Sequence, residues 1–262
     1  MKYQNKLIRD ILKDGYTIKK NFLSQKEIDF YLSKIQKIYS KKKNIFKGLP
    51  KRDKKDKIIY NLQNKDLNFI KLLNSPDIFR VCKYFLQDKY FRLLPPNRPN
   101  FILSYYNARS SGSKLDLHID SHIPYLGNHV YMLQVAIILE NQNEKNGCTV
   151  LKPKSHLSGK YTNRKETNLK KINSKAGDLV IWDSRIWHGT TKNTSKKTRW
   201  ALIATFSCWW LKQSMDMVRS LPKNIFKRLS INEKIILGYC ATIPIDENDL
   251  LRTKKKISEI KF

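Results

Sequence analysis

Hydrophobic and polar positions change rhythm along the chain. Near the N-terminus Gly15-Tyr16-Thr17-Ile18 reads as a short strand, and Ser24 then stands as N-cap before Gln25-Lys26-Glu27. Ile28, Tyr31, Leu32 and Ile35 recur at helical spacing, which predicts a helix over residues 25–39. Residues 41–57 are too charged and too aperiodic for core and read as a mobile excursion. From about residue 95 short apolar runs alternate with turn signals: residues 100–106, 115–120, 131–140, 148–151, 178–182 and 200–210. Short strands without intervening helices predict an antiparallel sandwich or barrel. After Leu211 the character returns to helical and irregular. The expected class is mainly β with flanking helices (α+β).

Composition adds bounds. The chain has 262 residues, of which 40% are hydrophobic and 11% aromatic, enough for a large core and against wholesale disorder. No run reaches the roughly 18 to 20 apolar residues of a membrane helix. The opening residues lack the apolar core of a signal peptide, and Cys82, Cys148, Cys208 and Cys240 show no C-x-x-C spacing. Both features lead us to expect a cytoplasmic protein. The formal charge of +30 invites a nucleic-acid reading, but only 12 of the 52 basic residues are Arg, and the Lys residues are scattered. A lysine-rich solvated surface explains that pattern, so nucleic acid is not the expected partner.

The chemistry-bearing residues sit in the predicted strands. In Leu115-Asp116-Leu117-His118-Ile119-Asp120 the alternation puts His118 and Asp120 on one face, with Leu117 and Ile119 on the other. Their Cα atoms are then roughly 6 to 7 Å apart, a span that two side chains close around one metal ion. A lone H-x-D is common on surface strands. Here a second strand, Leu179-Val180-Ile181-Trp182, leads to His188, and Arg199 follows at the entry to the next apolar strand. His118, Asp120 and His188 make a two-His-one-carboxylate set, for which Arg199 would hold the distal carboxylate of a bound 2-oxo acid.

With these residues in place the chain resembles the phytanoyl-CoA dioxygenase family of Fe(II)- and 2-oxoglutarate-dependent oxygenases. The resemblance rests on Asp14-Gly15-Tyr16-Thr17-Ile18, on His118-Ile119-Asp120, on the segment Asn146-Gly147 to Pro153-Lys154-Ser155-His156, on Gly177-Asp178-Leu179-Val180-Ile181-Trp182-Asp183 with His188-Gly189-Thr190, and on Arg199. Lys154 stands where the family usually has Gly. The resemblance implies one domain over residues 1–262 with a double-stranded β-helix (jelly-roll, cupin-like) core. A mainly helical part would span 1–94, the core with the iron site 95–211, and a helical or irregular extension 212–262.

It also implies a dioxygenase that hydroxylates a small, polar or anionic substrate and releases succinate and CO2. His118, Asp120 and His188 would be the catalytic metal ligands for Fe(II). 2-Oxoglutarate and O2 would be the cosubstrates, with Arg199, Thr190, Gln134 and Asn107 binding 2-oxoglutarate. Tyr106, Arg109, His122 and Arg185 are the substrate candidates. Asp120 favours hydroxylation over halogenation, because related halogenases lack that carboxylate. The competing reading is a basic nucleic-acid- or polyanion-binding protein on an inactive scaffold. Oligomeric state is not legible.

Overall fold

The computed structural model describes residues 5–41, 56–90, 94–162, 166–244 and 246–248. Most of the charged excursion expected over 41–57 therefore lies outside the described residues. In chain order the elements are α1 (Lys6–Asp14), β1 (Tyr16–Lys19), α2 (Gln25–Ser40), β2 (Lys57–Tyr60), α3 (Leu67–Leu73), α4 (Pro76–Leu86), β3 (Phe101–Ser110), β4 (Leu115–His118), β5 (Met132–Ile138), β6 (Thr149–Leu151), β7 (Lys170–Ile172), β8 (Leu179–Asp183), β9 (His188–Thr190), β10 (Ala201–Cys208), α5 (Met217–Ser220), α6 (Lys223–Phe226) and α7 (Ile231–Ile236). Among the described residues no helix is long and apolar enough to cross a membrane. Two compact units are defined, Met1–Tyr60 with Asn107–Ala204, and Asn61–Tyr106 with Thr205–Phe262.

The first unit holds two antiparallel sheets. The larger runs in the order β1-β8-β5-β10-β3-β2, to which this unit contributes the end of β3 and the start of β10; the smaller is β4-β9-β6-β7. This is a double-stranded β-helix, or jelly roll. Tyr16, Ala136, Ile138, Val180, Trp182 and Ala201 from the larger sheet pack with Leu151 and Ile172 from the smaller one. On the other face of the smaller sheet, Leu117, Ile119, Val150 and Trp187 form a separate cluster. That division is the period-2 alternation read from residues 115–120. α2 begins with a capping box: the Ser24 side chain accepts from the Glu27 N–H, and Glu27 Oε2 accepts from the Ser24 N–H at 2.8 Å.

In the second unit, α3 and α4 bring aromatic residues onto the other ends of β3 and β10. Phe79 and Phe101 meet edge to face at 5.6 Å, as do Phe101 and Phe206 at 5.9 Å. A second capping box, Ser230 with Glu233, starts α7.

Candidate active site

Register builds the site. His118 of β4 lies directly across from His188 of β9, which lies across from Leu151 of β6, so the two imidazoles share a row and a face. Their ring centroids are 4.3 Å apart. Gly189 permits this approach, because a Cβ there would collide with the Leu115 carbonyl. Asp120 lies just past β4. Its N–H and that of Ser121 donate to the Ser184 carbonyl at 2.9 and 3.2 Å, tying the carboxylate-bearing turn to the corner between β8 and β9.

The resulting geometry is compact. Asp120 Oδ1 is 3.7 Å from His118 Nε2 and Oδ2 is 3.3 Å from His188 Nε2. One ligand atom from each of the three residues lies within 4.8 Å of the other two. Both Nδ1 atoms face backbone carbonyls, His118 that of Asp116 at 2.9 Å and His188 that of Ile186 at 3.0 Å. With Nδ1–H donating, each Nε2 keeps a lone pair aimed inward. Burial, reinforced by the neighbouring His188, holds His118 below the ordinary histidine range against the pull of Asp120, favouring the neutral ligand form. Two imidazoles and a carboxylate with an open side make a donor set that suits non-haem Fe(II).

Arg199 is buried just before β10. Its N–H donates to Ser110 Oγ at 2.9 Å and its Nε to the Ser111 carbonyl at 3.0 Å, while Nη2 is buried and meets no acceptor among the described residues. Gly147, at φ +89°, makes room: a Cβ there would stand 2.8 Å from Arg199 Nε. Burial, with the charge of Arg109 adding to it, pulls the guanidinium down to about 10. Such a group calls for an anion.

The other predicted residues divide. Thr190 follows His188 by two positions on β9, and its Oγ1 accepts from the Leu115 N–H at 3.2 Å, leaving its own hydrogen to donate. Gln134 is buried directly across from Trp182 in the β5–β8 register. Asn107 is buried, on the same face of β3 as Arg109. Arg185, a substrate candidate, is engaged within the protein. Its guanidinium makes a bidentate pair with Asp183 (Nη2–Oδ2 2.7 Å, Nε–Oδ1 3.1 Å), donates from Nη1 to the Gly127 carbonyl at 2.7 Å and covers the Tyr125 ring at 4.7 Å. Tyr106 is fully buried, with its hydroxyl donating to the Phe69 carbonyl at 3.3 Å. His122 is exposed at φ +63° in the bend after Asp120.

Some contributors were not legible as such. The Trp182 indole N–H donates to Asp120 Oδ2 at 3.3 Å, and the only signal for it was that a buried Trp needs an acceptor. Asp178 clamps three donors, Lys20 Nζ and the N–H groups of Asn21 and Lys175. Ser155 Oγ accepts from the Trp187 N–H at 2.8 Å, one residue before His188. Lys154 holds the left-handed conformation, φ +66°, at the position where a Gly was expected.

The model of the phytanoyl-CoA dioxygenase (PhyH) family matches residues 11–201, a span that contains all three metal-ligand candidates and Arg199. The chain belongs to the phytanoyl-CoA dioxygenase family. PhyH enzymes use Fe(II), 2-oxoglutarate and O2. Among curated relatives, "Dioxygenase af480" of Aspergillus fumigatus is 27% identical over 209 residues, 76% of this chain and 63% of that protein. An uncharacterized protein of Mycobacterium tuberculosis is 22% identical over 181 residues, 68% of this chain and 65% of its own. The match thus spans about two thirds of these relatives' length. Solved structures share the fold. HygX from Streptomyces hygroscopicus, with nickel and 2-oxoglutarate bound, gives a TM-score of 0.61 at 13% identity, covering 80% of this chain and 89% of that one. The α-ketoglutarate-dependent epimerase SnoN of nogalamycin biosynthesis gives 0.62 at 16% identity, covering 80% and 85%.

Proposed function

We propose that this PhyH-family chain is an Fe(II)- and 2-oxoglutarate-dependent dioxygenase that hydroxylates a small organic substrate. The observation that carries the reading is the convergence of His118 Nε2, His188 Nε2 and an Asp120 oxygen within 4.8 Å, with each Nδ1 already facing a carbonyl. These three residues would hold the metal. Bound Fe(II) with 2-oxoglutarate and O2 supplies oxidative decarboxylation to succinate and CO2, coupled to insertion of one oxygen atom into a substrate C–H bond.

The protein's part is placement. Arg199 offers its unpartnered Nη2 to the distal carboxylate of 2-oxoglutarate, and Thr190 donates its hydroxyl hydrogen to the same group. Gln134 and Asn107 line the cosubstrate pocket. Asp120 would be the third protein ligand, leaving no place for halide, which favours hydroxylation. Trp182 fixes the Asp120 carboxylate through its indole N–H.

Anaerobic titration with Fe(II) and then 2-oxoglutarate tests the proposal. A weak visible charge-transfer band is expected in the native protein, absent in His118→Ala and Asp120→Ala and needing far more 2-oxoglutarate in Arg199→Gln. No band in the native protein, or one that survives either ligand substitution, rejects the reading.

A further inference from the structure

Among the described residues Arg109 has no hydrogen-bond or ion-pair partner. It is only partly exposed, and its Nε is buried without an acceptor. A guanidinium N–H buried without an acceptor is costly unless an anion meets it. Its place on the strand brings it to the cosubstrate residues: Ser110, the next residue on β3, accepts the Arg199 N–H at 2.9 Å, and the Arg109 charge also acts on the Arg199 guanidinium.

Nearby acids are committed elsewhere. The Asp56 carboxylate accepts the N–H groups of Gly112 and Ser113 at 2.8 and 3.2 Å, and Asp116 points to solvent near Lys114. Asp120 faces the two histidines. On the functional reading above, on which this inference rests, the charges can be followed. The two positive charges of Fe(II) meet Asp120 and one carboxylate of 2-oxoglutarate, and Arg199 meets the other. Arg109 remains, with one positive charge at the site and nothing to neutralise it.

We infer that Arg109 is a specificity residue that receives one anionic group, a carboxylate or similar monoanion, of the primary substrate. Strand alternation puts it on the same face of β3 as Asn107, so the group it holds is anchored beside the cosubstrate pocket rather than on the outer surface. The substrate class is then a small organic acid hydroxylated at a carbon held at fixed distance from its anionic end.

Anaerobic protein loaded with Fe(II) and saturating 2-oxoglutarate provides the test, with thermal unfolding and equilibrium binding as readouts. The probes are acetate and butyrate against acetamide and butyramide, which match them in shape and lack the charge. Native protein is expected to bind the carboxylates at least tenfold tighter than the amides, Arg109→Lys to keep most of that preference and Arg109→Met to lose it. Equal binding of acids and amides by the native protein, or a preference that persists in Arg109→Met, overturns the inference. Titration of 2-oxoglutarate separates this outcome from failure of the functional reading. Arg109→Met should need less than about threefold more 2-oxoglutarate to develop the charge-transfer band, against at least fiftyfold for Arg199→Gln. Equal losses in both variants would assign Arg109 to the cosubstrate and also overturn the inference.

Discussion

Trp182 donates its indole N–H to Oδ2 of Asp120 at 3.3 Å, while its ring stands 5.2 Å from that of His188. One side chain of β8 thus steadies two of the three ligand candidates. In Trp182→Phe the ring packing is largely kept and the hydrogen bond is lost. Metal affinity should fall on the order of 10- to 100-fold while stability drops by only about 1 kcal/mol. Isothermal titration with Fe(II) under anaerobic conditions, set beside urea unfolding, separates the two effects.

Arg185 and Asp183 form a buried pair, and removing one partner strands the other charge. Arg185→Met should cost about 3 to 5 kcal/mol in denaturant unfolding. Adding Asp183→Asn should recover a sizeable part of that loss. A loss below about 1 kcal/mol in the single variant would show the pair to be dispensable.

Lys154 occupies the left-handed region at φ +66°, a conformation that costs a side-chain-bearing residue roughly 1 to 2 kcal/mol. Gly removes that cost and gives back part of it through greater freedom of the unfolded chain. Lys154→Gly is therefore expected to stabilise by about 0.5 to 1 kcal/mol, read as a rise in Tm, with Fe(II) affinity unchanged.

His156 is buried against α1. Its Nε2 lies 3.3 Å from the Leu12 carbonyl, and its Nδ1 has no hydrogen-bond partner among the described residues. Burial holds its folded-state value below the ordinary 6.5. Below 6.5 the unfolded chain takes up a proton that the folded chain refuses, so stability falls as pH drops from 6.5 toward the folded value. Urea unfolding at pH 7.5 and 5.5 should show this loss, and His156→Gln should show a shallower one.

Much of the candidate centre was legible because strand alternation is strict where one face is buried. Leu117 and Ile119 in their own cluster force His118 and Asp120 to the other face. Arg199 was legible for a related reason, since a charge leading into an apolar strand needs an anion. The Arg185–Asp183 pair was not legible because its partners stand only two residues apart across a turn, where neither helical nor strand periodicity applies. The Phe69 acceptor of Tyr106 was not legible because alternation does not tell which packed element receives a hydroxyl. β2 and β7 went unseen, each being short and carrying lysines that mask the apolar pattern.

The bare backbone of Gly189 lets the main chain at Leu115 come so close that no side chain fits between them. The separation of the two imidazoles is therefore an attribute of the peptide skeleton, shielded from drift in the surrounding lysine-rich surface. A substitution at Gly189 would act on the centre as a wedge acts on a hinge, parting both histidines without altering either one.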